Sequence, residues 1–260
     1  MSSVAVLPIH DPAGEFLPHL QEVTPQLEGV FAGAFLGITA VTAKTQRPWI
    51  DWLQAHEFYR CIFHRPGLAM GDQFRELYAS AAAAYPSDTL LHLCFADRLI
   101  FILQSAHCQP FVDDMRAVHY DESTLIFRRS EAAWGTHPAN YRAAEQMVTT
   151  AGELLFGKTL DFAWCHLVIR ADVLGAIIPR TTRPDMSMLA EIVVQALRQG
   201  IRTKDVDWLA WEDPFLVGRD ACQLKQEGEA SLQETRKRSA HVIPMLQLLD
   251  TAVNGTYRLP

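Results

Sequence analysis

The chain has 260 residues, 49% of them hydrophobic and 20% charged, with a formal net charge of −7. That is enough apolar content to bury a sizeable core in one large α/β domain or two small ones. The acidic balance argues against a nucleic-acid surface, though not against a local basic pocket, and no run nears the roughly 18 apolar residues of a membrane span.

Pro8, Pro12, Pro18 and Pro25 crowd the first positions and predict an irregular lead-in over residues 1–28. Residues 29–41 mix apolar side chains with three glycines and read as a strand near 35–41, with Thr39, Thr42 and Thr45 at its exit. A short helix at 48–53 and a strand at 58–63 follow. Met70, Phe74, Leu77, Tyr78 and Ala81 share one face at helical spacing, behind Gly67 and Gly71. Residues 90–94 are an apolar run behind the turn residues Pro86, Ser87 and Asp88, which predicts a buried strand. Asp97 and Arg98 then sit near its carboxyl end, where open α/β sheets bind ligands; the bland alternative is an Asp–Arg pair that starts the next helix.

Residues 99–103 and 111–118 read as helices, and 124–127 as a strand running into Arg128 and Arg129. A helix over 139–156 buries Tyr141, Ala144, Val148, Ala151 and Leu155, and 162–169 reads as a strand ending at Arg170. Met186, Leu189, Val193 and Leu197 mark a third helix that stops at Gly200. Mixed charge from 220 to 249 predicts a solvated helix broken near Pro244. Strands alternating with helices give an α/β sheet layered between helices, in one domain over 29–219 with a helical tail, 220–260, packed on it.

General catalytic signatures are missing: there is no GxGxxG, P-loop, GxSxG, HExxH or paired-cysteine motif. Cys61, Cys94, Cys108, Cys165 and Cys222 are scattered and odd in number, the pattern of reduced thiols in a cytoplasmic protein. The histidines lack ligand-like spacing, and the N-terminus has no signal-peptide pattern. Arg98, Arg128, Arg129 and Arg170 each follow a strand, so in a parallel sheet their guanidinium groups gather at one edge, suited to a diphosphate. The competing reading pairs each arginine with a local acid such as Asp97, Glu131 or Asp172.

The order of these segments resembles a bacterial family related to glycosyltransferases of the nucleotide-diphospho-sugar transferase (GT-A) fold. The matching pieces are the Gly-rich strand leading to Thr39 and Thr45, the Gly71 helix start, residues 90–94 with Asp97-Arg98, the run over 129–138, Glu145, and the late Asp207-Trp208. Most specific is the Thr136-His137-Pro138 turn followed by a helix with Glu145, and the resemblance spans roughly residues 29–215. It implies one Rossmann-like domain with a mainly parallel sheet, and a nucleotide sugar as the small-molecule partner. It also places residues 90–94 where such enzymes carry an Asp-x-Asp motif for Mn2+ or Mg2+. Here Cys94-Phe95-Ala96-Asp97 supplies one carboxylate where the pattern has two, so Asp97 needs another acid, such as Asp113 or Asp114, to hold a cation. Arg98 is the alternative source of positive charge.

The resulting expectation is a glycosyltransferase. Arg98 with Arg128 or Arg129 holds the diphosphate, Asp97 assists a cation or the ribose, and Thr39 lines the donor site. Thr136 or His137 caps the helix behind Pro138, with His137 a ligand contact or general base. Asp207 or Glu212 is the acceptor base, beside Trp208 as a sugar platform or a core residue. A non-catalytic ligand- or partner-binding protein on a degenerate fold is the alternative.

Overall fold

The computed structural model describes residues 3–118, 123–211 and 220–253. Its elements are β1 (Val4–Ile9), α1 (Leu17–Glu22), α2 (Thr24–Val30), β2 (Gly33–Ile38), α3 (Ala40–Thr45), α4 (Arg47–Ala55), β3 (Tyr59–Phe63), α5 (Met70–Ala84) and β4 (Leu90–Cys94). There follow α6 (Ala96–Gln104), α7 (Cys108–Ala117), β5 (Thr124–Arg129), α8 (Glu131–Thr136), α9 (Ala139–Phe156), β6 (His166–Arg170), α10 (Ala171–Ile177), α11 (Ser187–Ala196), β7 (Arg202–Val206), α12 (Ala221–Ala230) and α13 (Leu232–Val253).

The seven strands form one sheet in the order β3-β2-β1-β4-β6-β5-β7. Every neighbouring pair is parallel except those of β6, which runs antiparallel to β4 and β5. The carboxyl ends of six strands therefore share an edge with the amino end of β6. Arg170, at the far end of that reversed strand and in register with Leu90, lies on the opposite edge and pairs with Asp172. It does not join the other arginines.

Alternation along the strands splits the core into two apolar layers. Val4, Val6, Leu91, Leu93, Leu167 and Ile169 pack under helices α5, α10, α11 and α13. Ala5, Leu7, Ile9, Leu90, Leu125 and Val168 pack under α1, α2, α6 and α7.

Several elements correct the sequence reading. The lead-in is not irregular: it supplies the buried β1, and Pro18 and Pro25 open α1 and α2. Proline suits a first helical turn because its missing amide has no partner there. Pro8 is compatible with a central strand because Ile9 O accepts from Thr39 N of the β2 side, so Pro8 faces β4, whose pairing ends at Val6↔Leu93. The strand expected over 162–169 begins only at His166. The tail is neither solvated throughout nor broken at Pro244: α13 runs through that proline, the break falls at Ser231, and Val242, Met245, Leu248 and Leu249 are buried. That face packs on α9 and α11. All five cysteines are free, and among the described residues no helix is long and apolar enough to cross a membrane.

Candidate functional site

Two cavities open at the carboxyl edge. The larger, about 1040 Å³, lies between that edge and helices α9, α12 and α13; Asp97, Arg98, Arg129, Glu145 and Arg238 are among its walls. The smaller, about 370 Å³, sits over the ends of β1 and β2 and is walled by Thr39, Gly37, His64, Phe74 and Met186. Both are lined by His10, Phe16, Phe95, Asp97 and Met186, so they meet beside Asp97.

Local chemistry explains how each wall is held. Asp11 is buried after β1 and accepts from the amides of Glu15, Phe16 and Leu17 at 2.7–3.0 Å, which folds the loop carrying His10 and Phe16 over the edge. Thr39 precedes α3; its Oγ1 donates to Thr42 Oγ1 at 3.0 Å and lies 3.2 Å from His10 Nδ1. Asp97 stands in the first turn of α6, where its Oδ1 accepts from Arg98 N at 2.9 Å.

Arg129 leaves the end of β5 into a buried network. It donates to Glu145 and to Ala163 O at 3.0 Å, lies 3.9 Å from Asp161, and its guanidinium stacks 4.2 Å over the Trp134 ring. Glu145 also accepts from Arg238 at 3.3 Å. Burial pushes the Glu145 carboxyl up, but Arg129, Arg238 and Arg98 together outweigh it and hold it below the usual range. Asp161 goes the other way, because burial dominates there.

The structure brings Asp97, Arg98, Arg129 and Glu145 to one cavity and Thr39 to the other, but not the remaining expected residues. The Arg128 guanidinium is held by Asp205 at 2.6–2.7 Å and Thr159 O at 2.7 Å, and it lines neither cavity. His137 is 5% exposed, with Nδ1 3.0 Å from Ala133 O. Burial, then Arg129 and Arg98, push its pKa down to about 3. Neither His137 nor Thr136 caps α9; Glu229 of α12 accepts from the Ala139 amide instead, and Thr136 Oγ1 accepts from Trp211 N at 2.8 Å. Trp208 is a core residue, 1% exposed, donating to Asp114 at 2.8 Å. Asp207 accepts from Ser130, away from both cavities, and Glu212 lies outside the described residues.

Among the described residues Asp97 belongs to no close cluster of three metal-ligating side chains. Asp113 accepts from Gln109, Asp114 is held by Lys204 and Trp208, and neither lines the cavities at Asp97. Among the described residues the one convergence of three ligating side chains is elsewhere: His92, Cys94 and His166, all buried. His92 Nε2 and His166 Nδ1 are 2.9 Å apart, ringed by Phe111, Phe127 and Trp208. Burial pushes His92 down to about 3, and burial with His92, Arg98 and Arg129 pushes His166 well down, so the pair is neutral. Sequence spacing could not reveal a pair from strands 74 positions apart.

His10, Phe16, Arg238 and the rest of α13 were also invisible to motif reading; the one local signal was the Ile9-His10-Asp11-Pro12 turn after an apolar run.

No family model matches the sequence, and no curated protein matches it. Solved structures do match. Glucosyl-3-phosphoglycerate synthase from Mycobacterium tuberculosis, in complex with Mn2+, uridine diphosphate and glucosyl-3-phosphoglycerate, superposes with a TM-score of 0.54 at 11% identity, over 95% of this chain and 79% of that one. The same synthase with Mn2+, uridine diphosphate and phosphoglyceric acid gives 0.51 at 10% identity, over 94% and 78%. A mycobacterial protein gives 0.51 at 12%, over 95% and 74%. Identities this low speak to architecture: the chain has the α/β fold of GT-A glycosyltransferases, with its mainly parallel seven-stranded sheet flanked by helices.

Proposed function

We propose that the protein transfers a sugar from a nucleotide-diphosphate donor to an acceptor held against α9 and α13. The observation that carries this reading is the meeting of the two cavities at Asp97, on the carboxyl edge where such sheets bind ligands. The smaller cavity suits a nucleoside, being mostly apolar with a few polar groups. Arg98 supplies fixed positive charge to the departing diphosphate, and Asp97 accepts from a ribose hydroxyl.

Titration calorimetry with nucleoside diphosphates and their sugars tests this. Arg98→Ala should weaken binding at least about tenfold, since a charge-assisted pair contributes 1.5–3 kcal/mol. No binding to any nucleotide, or a large loss of stability with unchanged affinity, would overturn the assignment.

A second reading, a protein that holds a nucleotide sugar without transferring it, is favoured by Asp97 standing in no close cluster of three ligating side chains among the described residues. Product formation with a mixture of candidate acceptors separates the two.

A further inference from the structure

We infer that His64 reads the nucleobase, selecting one that presents a ring N–H, as uracil and guanine do, over cytosine and adenine, whose ring nitrogens are acceptors. The inference rests on the smaller cavity being the nucleoside site.

His64 follows β3 directly. Its amide donates to Ile38 O at 2.9 Å, which continues the pairing by one residue and brings the ring to the cavity wall. The residue is 3% exposed. A histidine buried this far needs a partner, and it has one on only one side: Nδ1 lies 2.6 Å from a carboxylate oxygen of Glu76 on α5. A carboxylate only accepts, so the proton sits on Nδ1. In the neutral ring Nε2 is then left as an acceptor.

Gly37 keeps side-chain atoms away from that acceptor: a Cβ at this position would stand 2.7 Å from His64 Nε2 and 3.0 Å from Leu77, and one of them would have to move. Gly37 itself lines the cavity. Among the described residues Nε2 has no hydrogen-bond partner. The site thus holds one oriented acceptor on a wall shared with Ile9, Phe74 and Phe95, whose apolar surfaces suit a flat ring.

A base with a ring N–H satisfies Nε2. A base with a bare nitrogen there sets lone pair against lone pair and leaves both unpaired, which is how a polar site rejects an analogue. His64 is a positioning and specificity residue in this account, not a catalytic one.

The experiment measures dissociation constants of the full chain for UDP, GDP, CDP, ADP and inorganic pyrophosphate, in wild type, His64→Ala and Glu76→Gln. Wild type should bind UDP or GDP at least about tenfold more tightly than CDP and ADP. His64→Ala should erase that ratio while pyrophosphate affinity stays unchanged. Glu76→Gln, at a half-exposed position and so a safe second variant, should reduce the ratio by freeing the tautomer. Equal binding of the four nucleotides, a preference for CDP or ADP, or a ratio that survives His64→Ala would overturn the inference alone. Failure of every nucleotide and of pyrophosphate to bind would remove the functional reading with it.

Discussion

Arg238 on the last helix and Glu145 on α9 lie 3.3 Å apart at the wall of the larger cavity, and the other oxygen of Glu145 holds Arg129 of β5. One carboxylate thus joins the helix α13 to the carboxyl edge of the sheet. The Arg129 side chain is only 1% exposed, so its charge depends on these partners. Glu145→Gln should cost about 3–5 kcal/mol, because it leaves the buried Arg129 with Asp161, 3.9 Å away, as its remaining carboxylate. The Glu131–Arg142 pair is largely exposed, and Glu131→Gln should cost under about 1 kcal/mol. Urea unfolding of both variants decides whether burial separates the two as stated.

Gly71 starts α5 under another chain segment. Its amide donates to Pro184 O at 2.8 Å, and a Cβ there would lie 2.2 Å from Arg183 O. The obstacle is backbone, which cannot rotate away. Gly71→Ala should therefore destabilise by about 3 kcal/mol, the upper end of overpacking costs. A Cβ on Gly135 in α8 would meet nothing within 4 Å among the described residues, so Gly135→Ala should be neutral or stabilising by up to about 1 kcal/mol. Denaturant midpoints for the two alanine variants test the contrast.

Much of the fold was legible because it is written in apolar periodicity. The face of α5 and the strand β4 both formed where their patterns require. β7 was missed because Arg202, Thr203, Lys204 and Asp205 are exposed on a sheet edge, where charge rather than hydrophobicity is the safe choice. β1 was not legible because a proline such as Pro8 reads as a breaker unless the neighbour it faces is known. At the site, Asp97 and Arg98 were legible from their place after a strand. Arg128, Trp208 and His137 were not separable from structural residues, because burial and partner choice are set by segments far away in sequence. His64 carried no signal, since its meaning comes from Gly37 and Glu76.

Acid should destabilise the protein before its carboxylates titrate. His92 and His137 are pushed down to about 3, and His166 well down, chiefly by burial. Their unfolded values are near 6.5. Between the two limits the unfolded chain binds more protons, so stability is full above about pH 6.5 and falls as pH drops toward 3. The slope is about 1.4 kcal/mol per pH unit for each such histidine. Urea midpoints measured from pH 7.5 to 5 isolate the histidines from the carboxylates. His137→Gln should flatten the slope, and an unchanged slope would show that His137 is not held neutral by the fold.

Asp97 bears on the choice between metal-assisted and arginine-assisted chemistry. A hard cation takes about six oxygen ligands, and the residues leading to Asp97 from the end of β4 are Cys94, Phe95 and Ala96, none with a side-chain oxygen. Burial, then Asp97 itself, push the Cys94 thiol well up, so it stays protonated and is a poor ligand. One Asp97 oxygen already accepts from the Arg98 amide, which ties the carboxylate to the start of α6. Mn2+ titrated alone and followed by the resonance of the free ion should therefore bind wild type no more tightly than Asp97→Ala. The same titration with UDP present should give Mn2+ affinities set by the diphosphate and equal in the two proteins. An Asp97-dependent site in either arm would overturn this, and the positive charge assigned to Arg98 would pass to the metal.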